Sequence, residues 1–552
     1  MMKYRFADTG NYLYESGAFF LGIDDQGREI GVKSERHANT IAGARAGKGA
    51  CQIIPNLLRW PENSLTIDPS GENVAATWQA LEAAGKKVVL LDPFHHAERH
   101  YQVPARLRGS VNLLDGMKPD GLTVREDIRV IADGLVKRYK VEDGTWDNGA
   151  VSVLAGYIAY VLADPDPASR TLATVRHLLT MPEGTRDEIL LDMSNQEGFG
   201  KLARAAATIG LSKTKKAGEY FGSAVDHADW LDSAPFVELL GSSSFSLSEL
   251  KTGNVAVFLV LPHEYLNEHS RFLRLFVRCA LDAMTKGGKG KRRCLFLLDE
   301  FYSLGTIDEI AKAAGALPKF GVHLWPFLQD LGQLRDMYGD TLSETFFGNS
   351  DATSFFGNTD NLTLGYISGS LGKVTTDEIQ APPHLRETKP WYVSPEKAPE
   401  WNRENNAKHT NEMAGYQHER ASLGTPRAAP EEVAAFVGRD SSSPVARRMI
   451  VFTKAGDVLS LKLSPYFAAQ GWPQKQRYSD FAKSITQSAS AAKTEYLSEG
   501  INKLPKDEQI WVWILAFCVF IVGTGVGGLI LGIAAMAATI WAINKYDRRQ
   551  SS

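Results

Sequence analysis

Residues 37–59 read HANTIAGARAGKGACQIIPNLLR, and this stretch decides the fold. His37 to Ala42 is a short apolar strand, Gly43 to Gly49 is a Gly-rich turn, and a helical stretch follows that Pro55 is expected to shorten or kink. Strand, glycine turn and helix in that order are what a phosphate cradle needs. Successive backbone N–H groups must point inward at phosphate oxygens, and glycine permits the close approach. The backbone of Gly43, Ala44, Arg45, Ala46, Gly47, Lys48, Gly49 and Ala50 is the candidate cradle, with Lys48 reaching the terminal phosphates. The match to G-x-x-x-x-G-K-[ST] departs twice. Ala42 stands at the first Gly, with Gly43 after it, and Gly49 stands where a Ser or Thr hydroxyl would ligate Mg²⁺. Taken alone, the loop also fits an ordinary βα turn.

Outward from this loop, Ser64 to Asp68 and Lys87 to Asp92 are apolar runs ending in Asp, the texture of buried parallel strands. Strands resume at Asn254 to Leu261, Cys294 to Asp299, Val322 to Leu328 and Asp351 to Phe356, with helices at 266–286 and 306–315 between them. Strands alternating with helices imply an α/β fold with a doubly wound parallel sheet. Residues 116–240 carry long helical patterns and almost no strand signal, so they read as an all-α insertion. The sheet domain is then assembled from segments 1–115 and 241–470. Arg448 to Thr453 and Val458 to Leu463 flank Gly456-Asp457, a hairpin signal. Residues 387–424 read as a polar loop or a partly disordered segment, and 471–509 as a linker helix.

The run Leu295-Phe296-Leu297-Leu298 ends in Asp299-Glu300. A buried strand ending in Asp puts the carboxylate at the sheet edge where open α/β folds bind ligands. Asp299 is the candidate Mg²⁺ holder through water, and Glu300 the general base for an attacking water. Gln329, at the end of HLWPFLQ, is placed to orient that water or sense a γ-phosphate. The bland alternative is a strand end with charges facing solvent. Combined with the loop, the pair points to hydrolysis of a nucleoside triphosphate.

Composition narrows the class. The 552 residues are 44% hydrophobic and 23% charged, which excludes wholesale disorder and a collagen-like fibre. A net charge of −3 shows no global basic excess, so positive charge for a nucleic acid must be local. Two basic clusters are candidates, Lys213, Lys215 and Lys216, and Lys286, Lys289, Lys291, Arg292 and Arg293, although each also reads as a solvated loop. The four cysteines form no CxxC pair and fit a reducing compartment rather than a zinc site. Mean hydropathy is −0.20, yet Ile510 to Ile543 is one uncharged run, well beyond the ~18 residues that flag a membrane span. Trp511, Trp513 and Trp541 lie near its ends, as interfacial aromatics do. As a single helix the run measures about 51 Å against a hydrocarbon core of about 30 Å. A hairpin turning at Gly523 to Gly528 is favoured over a single span.

Taken together, these residues resemble the type IV secretion coupling proteins, the TraG-type conjugative DNA-transfer ATPases. The resemblance rests on TIAGARAGKGACQIIPNLLRWPENSLTIDPSGEN, VNLLD, TWDNGA, GSSSFSLSEL, CLFLLDEFYSLG, GVHLWPFLQDLGQL, FFGNSDATSFFGNTD and SLGTPRAAPEEV, in family order over most of residues 30–470. It implies a RecA-like P-loop ATPase domain carrying an inserted all-α domain, with ATP and Mg²⁺ as cofactors. It further implies a homo-hexamer at the bacterial inner membrane, its ATPase domain cytoplasmic. Such a ring passes relaxase-bound single-stranded DNA, or protein substrates, to a type IV secretion channel. The family's loop often has Gly after the Lys, which absorbs the Gly49 departure. Ser70 stands where the family usually has Lys. The family's N-terminal membrane helices have no counterpart before the loop, so the C-terminal run 510–543 is expected to be the anchor. Two readings stay open beside this one: a HerA- or FtsK-like DNA pump outside secretion, and a receptor that binds nucleotide without hydrolysing it.

Overall fold

The structure is a computed structural model that describes residues 4–138, 144–374, 425–439 and 445–467. All of them fall in one compact unit bounded at Met1–Lys475. Eleven strands form a single sheet: β1 (Phe19–Ile23), β2 (Glu29–Val32), β3 (His37–Ala42), β4 (Asn63–Ile67), β5 (Lys87–Leu91), β6 (Val255–Leu259), β7 (Cys294–Leu298), β8 (Val322–Leu328), β9 (Ser350–Phe356), β10 (Arg448–Thr453) and β11 (Val458–Lys462). Their spatial order is β2-β1-β11-β10-β9-β3-β8-β7-β4-β6-β5.

From β9 to β5 every neighbouring pair is parallel. From β9 to β2 every pair is antiparallel. The doubly wound parallel sheet expected from strand–helix alternation is therefore corrected to a mixed one, its antiparallel part including the hairpin expected at 448–463. The reason is covalent: strands joined by a tight turn can only pair antiparallel. Gly456 (φ 88) makes that turn between β10 and β11, and Gly27 (φ 81) between β1 and β2.

The parallel strands are buried on both faces, and period-two alternation divides their side chains between two cores. On one face Leu65, Ile67, Val257, Leu259, Phe296 and Leu298 pack together with the helices Val124–Leu135, Gly144–Leu162 and Leu266–Thr285. On the other, Ala256, Phe258, Leu295, Leu297, Trp325 and Phe327 meet Leu57, Val74, Leu81 and Ala97 from the short helices near the N-terminus. Between β5 and β6 the described residues form helices and no strand. These include Leu172–Leu179, Glu183–Ser194, Leu202–Leu211, Lys215–His227 and Ala234–Leu240. The polar loop at 387–424, the linker helix at 471–509 and the membrane segment at 510–543 lie outside the described residues. Among the described residues no helix is long and apolar enough to cross a membrane.

Candidate active site

Four neighbouring parallel strands, β3, β8, β7 and β4, carry the chemistry at one edge of the sheet. In that order their carboxyl ends lead into the Gly43 loop, Gln329, Asp299 and Asp68. Residues scattered over most of the chain thus meet where open α/β sheets bind ligands.

The loop's shape is enforced from both sides. Gly43 N–H donates to the Phe356 carbonyl at 3.1 Å, and a Cβ on Gly43 would sit 2.0 Å from the Gly357 carbonyl oxygen, so no side chain fits. Arg45 adopts φ 56, and Gly47 adopts φ 107, where a Cβ would lie 2.7 Å from Val445 Cγ1. Ala46 is buried; its N–H donates to the Gly43 carbonyl, and its own carbonyl accepts from Ala446 N–H at 3.0 Å. Ala44 and Arg45 face solvent at the loop's crest, while Lys48, Gly49 and Ala50 are half-buried at the helix start. Behind the loop, Thr40 on β3 accepts from Trp325 Nε1 at 2.9 Å and donates to Gln52 Oε1 at 2.7 Å, tying helix to sheet.

Pro55 acts as expected but by a particular route. The chain runs first as a π-helical turn, Gly49–Ile53, and then as an α-helix, Ile54–Arg59. Ile54 N–H reaches back to the Gly49 carbonyl. Proline has no N–H and its ring crowds the carbonyl four residues back, and the wider turn accommodates both defects.

Asp299 follows β7, beside the loop's lysine. Burial pushes its carboxyl up to about 6; the Lys48 ammonium pulls against that and the neighbouring Glu300 carboxylate adds to it. Glu300 takes φ 49, the left-handed region that few non-glycine residues occupy, and its N–H donates to Asp299 Oδ1 at 3.1 Å. Such backbone outliers gather at functional sites. Gln329 is anchored by its backbone: its N–H donates to Gln333 Oε1 at 2.9 Å and its carbonyl accepts from Asn358 Nδ2 at 3.4 Å. Its carboxamide makes no hydrogen bond among the described residues, so it is available to a ligand.

Two site residues were not foreseen. Asp68 lies one strand over from Asp299, because Ile67 pairs with Leu298. It is fully buried, accepts from Val74 N–H at 2.8 Å and from Asn73 Nδ2 at 3.1 Å, and burial pushes its carboxyl up to about 7. Asn73 is the second. The available signal was that two apolar runs, 64–68 and 294–299, both end in Asp; parallel pairing brings such ends together.

The donors here are all oxygens, which suits a hard cation such as Mg²⁺. Among the described residues no three His, Cys, Asp or Glu side chains form a metal-holding group. Mg²⁺ arriving on phosphates needs only one or two protein oxygens, so the residues fit. The basic clusters are partly neutralised: Lys213 pairs with Asp187, Lys286 with Asp127, and Arg293 with Glu62.

Comparison with known proteins adds to this geometry. The chain is 28% identical over 354 residues to the conjugal transfer protein TraG of Rhizobium radiobacter, covering 62% of this chain and 53% of TraG. It is 27% identical over 353 residues to the type IV secretion system-coupling protein VirD4 of Bartonella quintana, covering 62% and 53%. The chain thus spans about half the length of these relatives. Among solved structures, the bacterial conjugative coupling protein TrwBdeltaN70 superposes with a TM-score of 0.56 at 16% identity, covering 85% of this chain and 93% of that one. The plasmid coupling protein TrwB in complex with ADP and Mg²⁺ gives 0.57 at 17%, covering 85% and 95%. At such identities the likeness is one of fold. The model of the family described as Type IV secretory system Conjugative DNA transfer matches residues 3–387, and the chain belongs to that family.

Proposed function

We propose that the chain binds ATP with Mg²⁺ at the carboxyl edge of β3, β8, β7 and β4 and hydrolyses it to drive conjugative DNA transfer. The observation that carries this reading is the convergence of the Lys48 loop and Asp299 from distant parts of the sequence onto neighbouring strand ends. The backbone of Gly43 to Ala50 cradles the phosphates, Lys48 neutralises the terminal ones and Asp299 orients the metal's waters. Glu300 accepts the proton of the attacking water, and Gln329 orients that water. Mg²⁺, when bound, neutralises charge developing on the phosphates. The ADP and Mg²⁺ carried by TrwB, a protein of the same fold, support this choice of ligand.

In the finer reading, the sheet segments 1–115 and 241–470 form a RecA-like motor, and 116–240 is an all-α domain that meets substrate. Six copies form a ring that receives relaxase-bound single-stranded DNA, or protein, for a type IV secretion channel. Residues 510–543 anchor it to the inner membrane with the motor in the cytosol.

The test is mutational. Neither the Lys48 nor the Glu300 side chain makes a hydrogen bond or ion pair among the described residues, so replacing them leaves the fold unstrained. Lys48→Ala and Glu300→Gln should each lower ATP turnover at least ~100-fold and abolish transfer in a mating assay. Their melting curves should stay unchanged. Normal transfer in both variants sinks the reading. Gly49, which offers no hydroxyl, favours a second one, a receptor that binds nucleotide without turnover. It predicts binding but no DNA-stimulated ATPase in the wild type.

A further inference from the structure

We infer that Asn73 Oδ1 takes the place of the missing loop hydroxyl as the protein oxygen that holds the nucleotide's Mg²⁺. The inference rests on the nucleotide reading above and assigns it a residue that the loop motif does not contain.

Three observations converge on this atom. First, Asn73 is 4% exposed, and its Nδ2 donates to Asp68 Oδ1 at 3.1 Å. With Val74 N–H on the other carboxyl oxygen of Asp68, this contact turns the amide NH₂ toward Asp68 and its oxygen away. Second, that oxygen accepts no hydrogen bond among the described residues, which leaves its lone pairs to a ligand. Third, it is directed at the loop. A Cβ built on Gly49 would have Asn73 Oδ1 at 3.6 Å and no other heavy atom outside its chain neighbours and own helix within 4 Å. The space a Ser or Thr side chain would occupy is therefore bordered by a fixed amide oxygen.

The chemistry is a like-for-like exchange. A hydroxyl and a carboxamide are both neutral oxygen ligands, so the charge set by Asp299 and the phosphates is unchanged. The amide is also held rigidly. Asn73 sits in the first turn of Glu72–Ala83, entered through Gly71 at φ 73, and the next residue's N–H is itself bound to Asp68. Asp68, buried beside Asp299, thereby orients the ligand, as partners behind metal-binding groups commonly do.

The experiment measures binding of the fluorescent probe N-methylanthraniloyl-ADP to the full chain at pH 8, with Mg²⁺ and with EDTA. The wild type should bind more tightly with Mg²⁺. In Asn73→Ala that Mg²⁺ enhancement should fall about 10- to 100-fold while affinity in EDTA stays as it was. Asn73→Leu, of nearly the same volume, should behave alike and serves if the smaller side chain unfolds the protein. Adding Gly49→Ser to Asn73→Ala should restore the enhancement, because the hydroxyl returns to a space able to hold it. The assignment is overturned if both Asn73 variants keep the wild-type enhancement, or lose affinity equally in EDTA, as a mere prop for Asp68 would. It is also overturned if Gly49→Ser fails to restore, or if the wild type shows no enhancement. A wild type that binds no probe in either buffer instead sinks the nucleotide reading underneath.

Discussion

Asp68 shows how far surroundings can move a residue from its ordinary chemistry. Its carboxyl is raised from 3.8 to about 7, chiefly by burial, with Glu72 and Asp299 adding repulsion. A carboxyl with a raised folded pKa holds its proton more tightly in the folded chain than in the unfolded one. Folding therefore takes up a proton between about pH 4 and 7, and stability from this group falls as pH rises through that window. His37 and His227, lowered from 6.5 to about 4 by burial, work in the opposite sense over nearly the same range. The informative quantity is thus a difference. The unfolding free energy of wild type minus that of Asp68→Asn, from urea unfolding, should decline steadily from pH 4 to 7, a swing on the order of a few kcal/mol at about 1.4 kcal/mol per pK unit. Parallel curves would refute the raised pKa. Asp68 and Asn73 also mark what a linear reading misses. Lys48, Asp299 and Glu300 stand in a recognisable local pattern, whereas the importance of Asp68 exists only once β4 lies beside β7.

At the scale of elements, the β3 loop separates glycines that geometry requires from one it does not. A Cβ on Gly43 would run into the Gly357 carbonyl, part of the backbone that leaves β9, whereas one on Gly49, in the helical turn, would meet only Asn73 Oδ1 at an ordinary 3.6 Å. Gly43→Ala should therefore cost about 1–3 kcal/mol, as overpacking does, and weaken nucleotide binding with it. Gly49→Ala should be neutral or gain up to roughly 1 kcal/mol, since alanine suits a helical turn better. Urea unfolding of both variants decides the matter, and equal costs would contradict it. The strand readings were good where apolar runs are long: β3, β8 and β10 begin and end as expected, and β4, β6, β7 and β9 within two residues. β1 and β2 were not legible. Each is short and interrupted by glycine, which weakens a strand signal. The structure shows why the glycines are there: a Cβ at Gly22 would lie 2.7 Å from the Lys462 carbonyl, and one at Gly31 2.7 Å from that of Phe19. A bulge between Phe20 and Gly22 shifts the register at the same place.

For the whole molecule, the proposed nucleotide site bears on the topology of the uncharged run 510–543, which a mean hydropathy of −0.20 conceals and which is proposed as the membrane segment. ATP is cytosolic, so the proposed function places the sheet edge bearing Lys48 and Asp299 there too. Lys545, Arg548 and Arg549 follow the run, and cationic flanks favour the cytosolic side. On the proposed reading both ends of the run would lie inside, which a single span does not allow and a hairpin does. Its two arms are somewhat short for a hydrocarbon core of about 30 Å, and interfacial tryptophans at Trp511, Trp513 and Trp541 suit arms that end at the interface. In such a hairpin the glycines at 523, 527, 528 and 532 would allow the arms to approach closely. A cysteine introduced by Ser552→Cys gives the test. Cys51, Cys279 and Cys294 are buried, and burial raises their thiols away from the reactive thiolate, so they contribute little background, and Cys518 in the run itself is first replaced by serine. A maleimide that cannot cross the membrane should leave position 552 unmodified in intact cells and label it after permeabilisation. Labelling in intact cells would place the C-terminus outside and rule the hairpin out.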